Sequence, residues 1–244
     1  MDAAQTIRDC IAEVTALRLH RAGDPALGGA VAEIKALQAQ RFTGTYADLL
    51  QSPVFAPAAR FFLEELYSAG DYTDRDQQFG RIAGTLQTLF PAPVVATAVA
   101  LAELHAQTEA LDQDMGRAWL ATQGADATRY AAAWRAVGQR PARQQQLQRV
   151  LAMGTDLARL TRTPGLRMML RMMRGPAQAA GLGALQKFLE GGFDTFGQLA
   201  RQRGAVEQFL ATIEERERAL MEQLFDGDAV ICATQLAHTL GQAR

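Results

Sequence analysis

The chain of 244 residues contains no asparagine, two serines, two lysines, two cysteines and three histidines. Each shortage closes a route to function. Neither Ser52 nor Ser68 stands in Gly-x-Ser-x-Gly, so the sequence carries no serine nucleophile elbow. Cys10 and Cys232 have no second Cys or His at ligand spacing and read as small core hydrophobes. His20, His105 and His238 form neither Glu-x-x-His nor His-Glu-x-x-His, which removes the di-iron and zinc-protease patterns. There is no Gly-Lys phosphate loop, and "GLGALQ" at 181–186 lies in a helical pattern with no strand before it. A net charge of -1 gives no electrostatic footprint for nucleic acid. No apolar run reaches the roughly 18 residues of a membrane span. The opening "MDAAQTIRDCIAEV" is charged where a secretion signal would be apolar, and a cytoplasmic location is expected.

What is present is helix. No alternating β-branched run exists, and the lack of asparagine removes Asn-Gly hairpins. The periodicity predicts helices over 2–21, 25–41, 45–51, 53–69, 74–89, 93–122, 127–138, 141–162, 164–174, 176–201, 204–225 and 228–240. Asp24-Pro25, Ser52-Pro53 and Thr163-Pro164 each place a capping oxygen before a proline at the first helical position. Gly70, Gly124 and Gly175 follow apolar-periodic runs, as helix-ending glycines do. The expected fold is all-α: a bundle of about 10–12 helices without a sheet, one domain over 1–244, with a change of organisation placed near 138–146.

"RFFLEELYSAGDYTDRD" at 60–76 carries two residue doublets that a helix with one buried face does not need. Phe55, Ala59, Phe62, Leu63 and Leu66 share one face, while Phe61 lies nearly opposite, flanked by Glu64 and Glu65. The helix is therefore expected to be covered on both sides. A carboxylate buried there needs a partner, and Arg60, Arg75 and Arg81 are the nearest arginines. Thr73 is expected to cap the next helix, with Asp74 and Asp76 in its first turn.

"FFLEELY" at 61–67, with "RD" at 75–76, "LFP" at 89–91 and "LAELHAQTEALD" at 101–112, resembles the bacterial proteins named for their FFLEELY motif. The resemblance runs through the N-terminal half and extends toward "GLGALQKFLEGGF" at 181–193. It carries no chemical role to any residue.

In "LAELHAQTEALD", His105, Glu109 and Asp112 share a strip, beside a face made by Val94, Leu101, Leu104, Leu111 and Met115. The spacing lets Glu109 bond to His105 and orient it. Glu64, Glu65, His105, Glu109 and Asp112 thus form a candidate polar cluster, either struts or an acid–base or metal pocket. "LAELHAQTEAL" also resembles, over a few residues, the proximal-histidine helix of globins, which makes His105 the candidate cofactor residue. No cofactor, metal or catalytic residue is expected.

"TPGLRMMLRMMRGP" at 163–176 places Arg167, Arg171 and Arg174 on one stripe and Met168, Met169, Met172 and Met173 on the opposite face. Methionine adapts to varied shapes, so this face is a candidate for a partner helix or an apolar ligand. Farther on, Gly181 and Gly192 share the apolar face of one long predicted helix, where bare backbone suits close approach by a neighbour. The reading that best joins these features is a non-catalytic binding or regulatory protein engaging an unidentified protein partner or an apolar ligand. The alternative is an enzyme or haem or metal binder with a pocket around Glu64, Glu65, His105 and Glu109.

Overall fold

A computed structural model describes residues 2–65 and 70–243. Among them are thirteen helices and no strand. In chain order these are α1 (Ala3–Gly23), α2 (Pro25–Thr45), α3 (Ala47–Gln51), α4 (Ala56–Glu65), α5 (Thr73–Leu89), α6 (Ala92–Leu120) and α7 (Asp126–Val137). They continue as α8 (Arg140–Thr161), α9 (Leu166–Met172), α10 (Arg174–Ala179), α11 (Gly183–Leu199), α12 (Ala205–Asp226) and α13 (Ala229–Gly241). No described helix is long and apolar enough to cross a membrane.

The start signals act largely as their chemistry dictates. Asp24 accepts the Leu27 N–H at 3.1 Å, with Pro25 at the first helical position of α2. Ser52 Oγ accepts from Val54 and Phe55 at 3.3 Å each, which closes one turn before α4 begins. Two expectations shift. Thr163 does not cap: α9 starts after Gly165, at φ 77°, while the Thr163 carbonyl only closes a turn onto Leu166. Tyr72, not Thr73, precedes α5, whose first turn does hold Asp74 and Asp76. The expected helix over 53–69 is observed from Ala56 to Glu65, and residues 66–69, with Leu66, lie outside the described residues.

The long helix expected over 176–201 is broken. Gly181 adopts φ 67°, Leu182 donates to the Ala177 carbonyl at 2.7 Å, and Gly181 donates to Gln178 at 3.0 Å. That pair of bonds is a Schellman ending, and it needs a residue that tolerates the left-handed region. Gly181 therefore ends α10 instead of packing a helix face, and Gly175 lies inside α10 instead of ending α9. Gly192 behaves as its spacing implies: a Cβ there would stand 3.0 Å from Phe61 Cζ, so α4 rests a phenyl ring on the bare backbone of α11.

The 29-residue α6 is the axis, in contact with α1, α2, α5, α7 and α8. Three main apolar clusters surround it. Phe42, Tyr46, Phe62, Phe196 and Phe209 anchor one, under α4, α8, α11 and α12. Ile34, Trp119, Tyr130, Trp134 and Leu224 anchor a second, under α7 and α13. Ile7, Ile11, Phe79 and Leu185 anchor a third, where α1 and α5 meet α11. Charged side chains lie between these clusters, and that layer holds the site.

Candidate functional site: two adjoining cavities

The middle of α6 turns three polar side chains inward: His105, Glu109 and Asp112. Glu109 and Asp112 are each only 3% exposed, so both need compensation. Glu109 receives Arg21 Nη2 at 2.7 Å from α1 and Lys35 Nζ at 2.5 Å from α2. Burial pushes its carboxyl upward, but Lys35 and Arg21 outweigh burial and hold it at about 2. Asp112 accepts from Gln38 at 3.1 Å and lies 3.9 Å from Lys35. Burial, the largest influence, pushes Asp112 above the usual carboxylate range, and the neighbouring Glu109 adds to it.

One helix away, Asp76 occupies the first turn of α5, 3% exposed. Arg18 Nη2 donates to it at 2.6 Å and His105 Nε2 at 2.8 Å. Burial raises the Asp76 carboxyl, yet His105 and Arg18 win and hold it below its ordinary value. Arg75 sits 3.4 Å from Glu65 and 3.7 Å from Asp76, its guanidinium over the rings of Tyr72 and Phe188. At the other end, Arg41 Nη1 donates to Glu217 at 2.6 Å, which also accepts from Tyr46 at 2.8 Å. Arg143 lies over the Trp134 ring at 4.1 Å.

These groups line a polar cavity of about 130 Å³. Two of its lining residues carry buried donors, Arg41 Nε and Trp134 Nε1, that have no acceptor among the described residues. Phe79, Leu101, Leu104, Val150, Leu185 and Phe188 also line a second cavity, of about 410 Å³. Its wall is apolar: Phe61 and Phe62 of α4, Ile82 and Leu86 of α5, Met153 and Leu157 of α8, and Met169 of α9. Thr97 and Gln186 also line it, but Thr97 donates to Pro93 and Gln186 to Leu170. Exposed Thr85, Pro176 and Ala180 mark a rim between α5 and the end of α10.

Of the five expected cluster residues, Glu65, His105, Glu109 and Asp112 meet at the polar cavity. Glu64 does not: its side chain is exposed, and it engages Tyr72 through its backbone carbonyl at 2.7 Å. The expected His105–Glu109 bond is not made, because Asp76 takes His105 while two cations draw Glu109 to the other side. Of the three arginines proposed for the glutamates, Arg75 pairs with Glu65, whereas Arg81 donates to the carbonyls of Ala180 and Gly181. His105 Nε2, the atom a haem reading would need, is engaged by Asp76. No three His, Cys, Asp or Glu among the described residues are grouped to hold a metal ion.

The four methionines do not share one face. Met169 and Met173 line the apolar cavity, while Met168 and Met172 are 65% and 72% exposed. Neighbouring positions on a helix differ by about 100°, so the pairs 168/172 and 169/173 form two stripes. Arg167 and Arg174 are tied down by Asp194 and Glu190 of α11.

Lys35, Arg41 and Arg143 escaped the sequence reading, and Asp76 was read only as a first-turn acid, although two of the four carried a signal. Arg41 follows Leu27 and Ile34 at intervals of seven, on the buried stripe of α2, and Asp76 begins the buried series Phe79, Ala83, Leu86 on α5. A charged residue in register with a buried stripe is itself a mark of a polar core.

Fold and site define an all-α bundle with a polar cavity beside an apolar one, the two sharing wall residues. The chain belongs to the family described as a domain of unknown function (DUF8198), whose match spans residues 17–230 and so includes every ionic residue of the polar cavity. No curated protein and no solved structure matches it.

Proposed function

We propose that this protein is a binding protein for an apolar small molecule, held in the cavity between α4–α6 and α8–α11. The cavity itself carries the reading: about 410 Å³ walled by aromatic and aliphatic side chains, with the buried polar companions Thr97 and Gln186 bonded elsewhere. Protein interiors leave few voids larger than a water molecule. At roughly 24 cal/mol per Å³, a dry void of that size would cost on the order of 10 kcal/mol, comparable to the whole stability of a domain. A guest offsets that cost. Met169 and Met173 on the wall suit a guest whose shape is not matched rigidly. FFLEELY, at 61–67, contributes Phe61 and Phe62 to this wall, which gives part of the motif a role in the pocket.

The test uses 1-decanol as ligand in calorimetry, with Ala98→Leu beside the wild type. Ala98 lines the cavity on α6. In a packed core the added carbons would cost about 1–3 kcal/mol. Here stability should change by less than about 1 kcal/mol while decanol affinity falls. An overpacking loss, or decanol bound equally by both proteins, would overturn the reading.

Acid–base turnover is a second reading, and one observation favours it: the Asp76–His105 pair stands on the wall of the adjoining cavity, as an oriented base does. Release of product from a decanoyl ester, lost in His105→Ala, would support it. Equal rates for both proteins would remove it.

A further inference from the structure

The two cavities share walls, and their chemistry changes along α6. Val94 and Ala98 face the apolar space, and Leu101 and Leu104 border both. His105, Glu109 and Asp112 face the polar one. At a rise of 1.5 Å per residue, the stretch from Val94 to Asp112 runs about 27 Å, apolar at one end and ionic at the other. A ligand filling only the apolar end would leave the polar end unused.

The polar end is densely charged. Its lining residues and their ion-pair partners include six cations: Arg18, Arg21, Lys35, Arg41, Arg75 and Arg143. Five carboxylates oppose them: Glu65, Asp76, Glu109, Asp112 and Glu217. Four of the cations lie on the wall itself, and Arg18 and Arg21 reach its carboxylates from outside.

The polar end also has two donors in want of an acceptor. Arg41 and Trp134 are 5% and 7% exposed, and both line the cavity. Arg41 Nε and Trp134 Nε1 have no acceptor among the described residues. Each group is donor-only, and leaving it buried and unmatched costs free energy that an acceptor restores.

We propose that the two adjoining cavities together bind one amphipathic anion, an alkyl-chain monocarboxylate. Its chain passes Leu104 and Phe188, which line both cavities, and its carboxylate accepts from Arg41 Nε and Trp134 Nε1. The proposal rests on the apolar-ligand reading and adds a head group to it. A carboxylate offers two oxygens to two donors, and a bond to it from the Arg41 guanidinium is charge-assisted. An alcohol offers one neutral oxygen, and a quaternary ammonium offers no acceptor and the wrong sign.

The experiment compares decanoate, 1-decanol and decyltrimethylammonium by calorimetry below their micelle concentrations, with the wild type, Trp134→Phe and Arg41→Lys. Phenylalanine keeps an aromatic face for Arg143 and Phe225 but has no N–H. Lysine keeps the charge facing Glu217 but lacks the Nε–H donor. Wild type should bind decanoate about tenfold or more tighter than decanol, with the ammonium weakest, as one hydrogen bond to a charged group implies. Each variant should lose about tenfold for decanoate and keep its decanol affinity, which also shows that it is folded. Equal affinity for decanoate and decanol, or variants that weaken both alike or neither, would overturn the proposal. In those outcomes decanol binding that responds to Ala98→Leu leaves the apolar-ligand reading standing, whereas failure of all three ligands removes both.

Discussion

Glu109 and Asp112 lie on the same strip of α6, both beside Lys35, and their carboxyls shift in opposite directions. The Glu109 carboxyl falls from an ordinary 4.5 to about 2, so the stability it contributes is complete above pH 4.5 and lost as pH falls toward 2. The shift corresponds to on the order of 3 kcal/mol. Asp112 has the reverse sign: its pKa is raised from an ordinary 3.8, so its ionisation works against the fold as pH climbs above that value. Glu109→Gln should lose about 3–5 kcal/mol at pH 7, because Arg21 and Lys35 are left without their carboxylate. Its stability should also vary less than the wild type between pH 4.5 and 2. Asp112→Asn keeps an acceptor for Gln38 and removes a strained charge, so it should be neutral or better at pH 7. Urea titrations of the three proteins across that range decide it, and an acid-side slope unchanged by Glu109→Gln would refute the assignment. The sequence showed the i, i+4, i+7 strip itself, since that spacing is local. It could not show the partners, because Arg21 and Lys35 come from two other helices and Asp76 from a third.

At the scale of elements, most helices were legible because Pro, Gly and capping oxygens act within a few residues of themselves. The break at Gly181 was not, since an unbroken apolar face on both sides masked a left-handed turn. The doublet in "FFLEELY" resolved in the same way. Phe62 is buried among Phe196 and Phe209, while Phe61 is half-buried, stacked on Phe188 at 5.7 Å and bordering the cavity. Its partner was written elsewhere in the chain, in the bare backbone at Gly192. Of the glycines, Gly44 of α2 has the closest neighbour: a Cβ there would stand 2.0 Å from the Thr239 carbonyl oxygen of α13. That neighbour is backbone and cannot swing aside. Gly44→Ala should therefore cost about 3 kcal/mol, the upper range of overpacking, although alanine is the better helix former by roughly 1 kcal/mol. Loss of α13 docking would appear as exposure of Cys232, now 1% exposed, to a thiol reagent. A stable variant with Cys232 still protected would mean that the two helices do not meet this closely.

Across the whole molecule, apolar contact is distributed unevenly, and the cavity explains where it is thin. Trp119, Met115, Ile34 and Leu224 are at most 1% exposed, in the cluster shared by α2, α6, α7, α12 and α13. On the far side, α9 and α10 have seven and six residues, with one buried residue each, Leu166 and Ala177. Helices that short do not hold in water by themselves, so they depend on packing that the cavity withholds. Local opening follows such contact density. In hydrogen exchange on the ligand-free protein, amides of α9 and α10 should exchange orders of magnitude faster than those of α6. A bound guest touches Met169, Met173 and Ala177, so it should slow α9 and α10 while α7 and α13 change little. At a ligand concentration of 100 times Kd, the global stabilisation should be about 2.7 kcal/mol, and the local slowing near α9 and α10 bounded by the same amount if opening releases the ligand. Slow exchange of α9 and α10 without ligand would show that the wall is already packed. Uniform slowing of the whole chain on binding would place the guest somewhere other than this cavity.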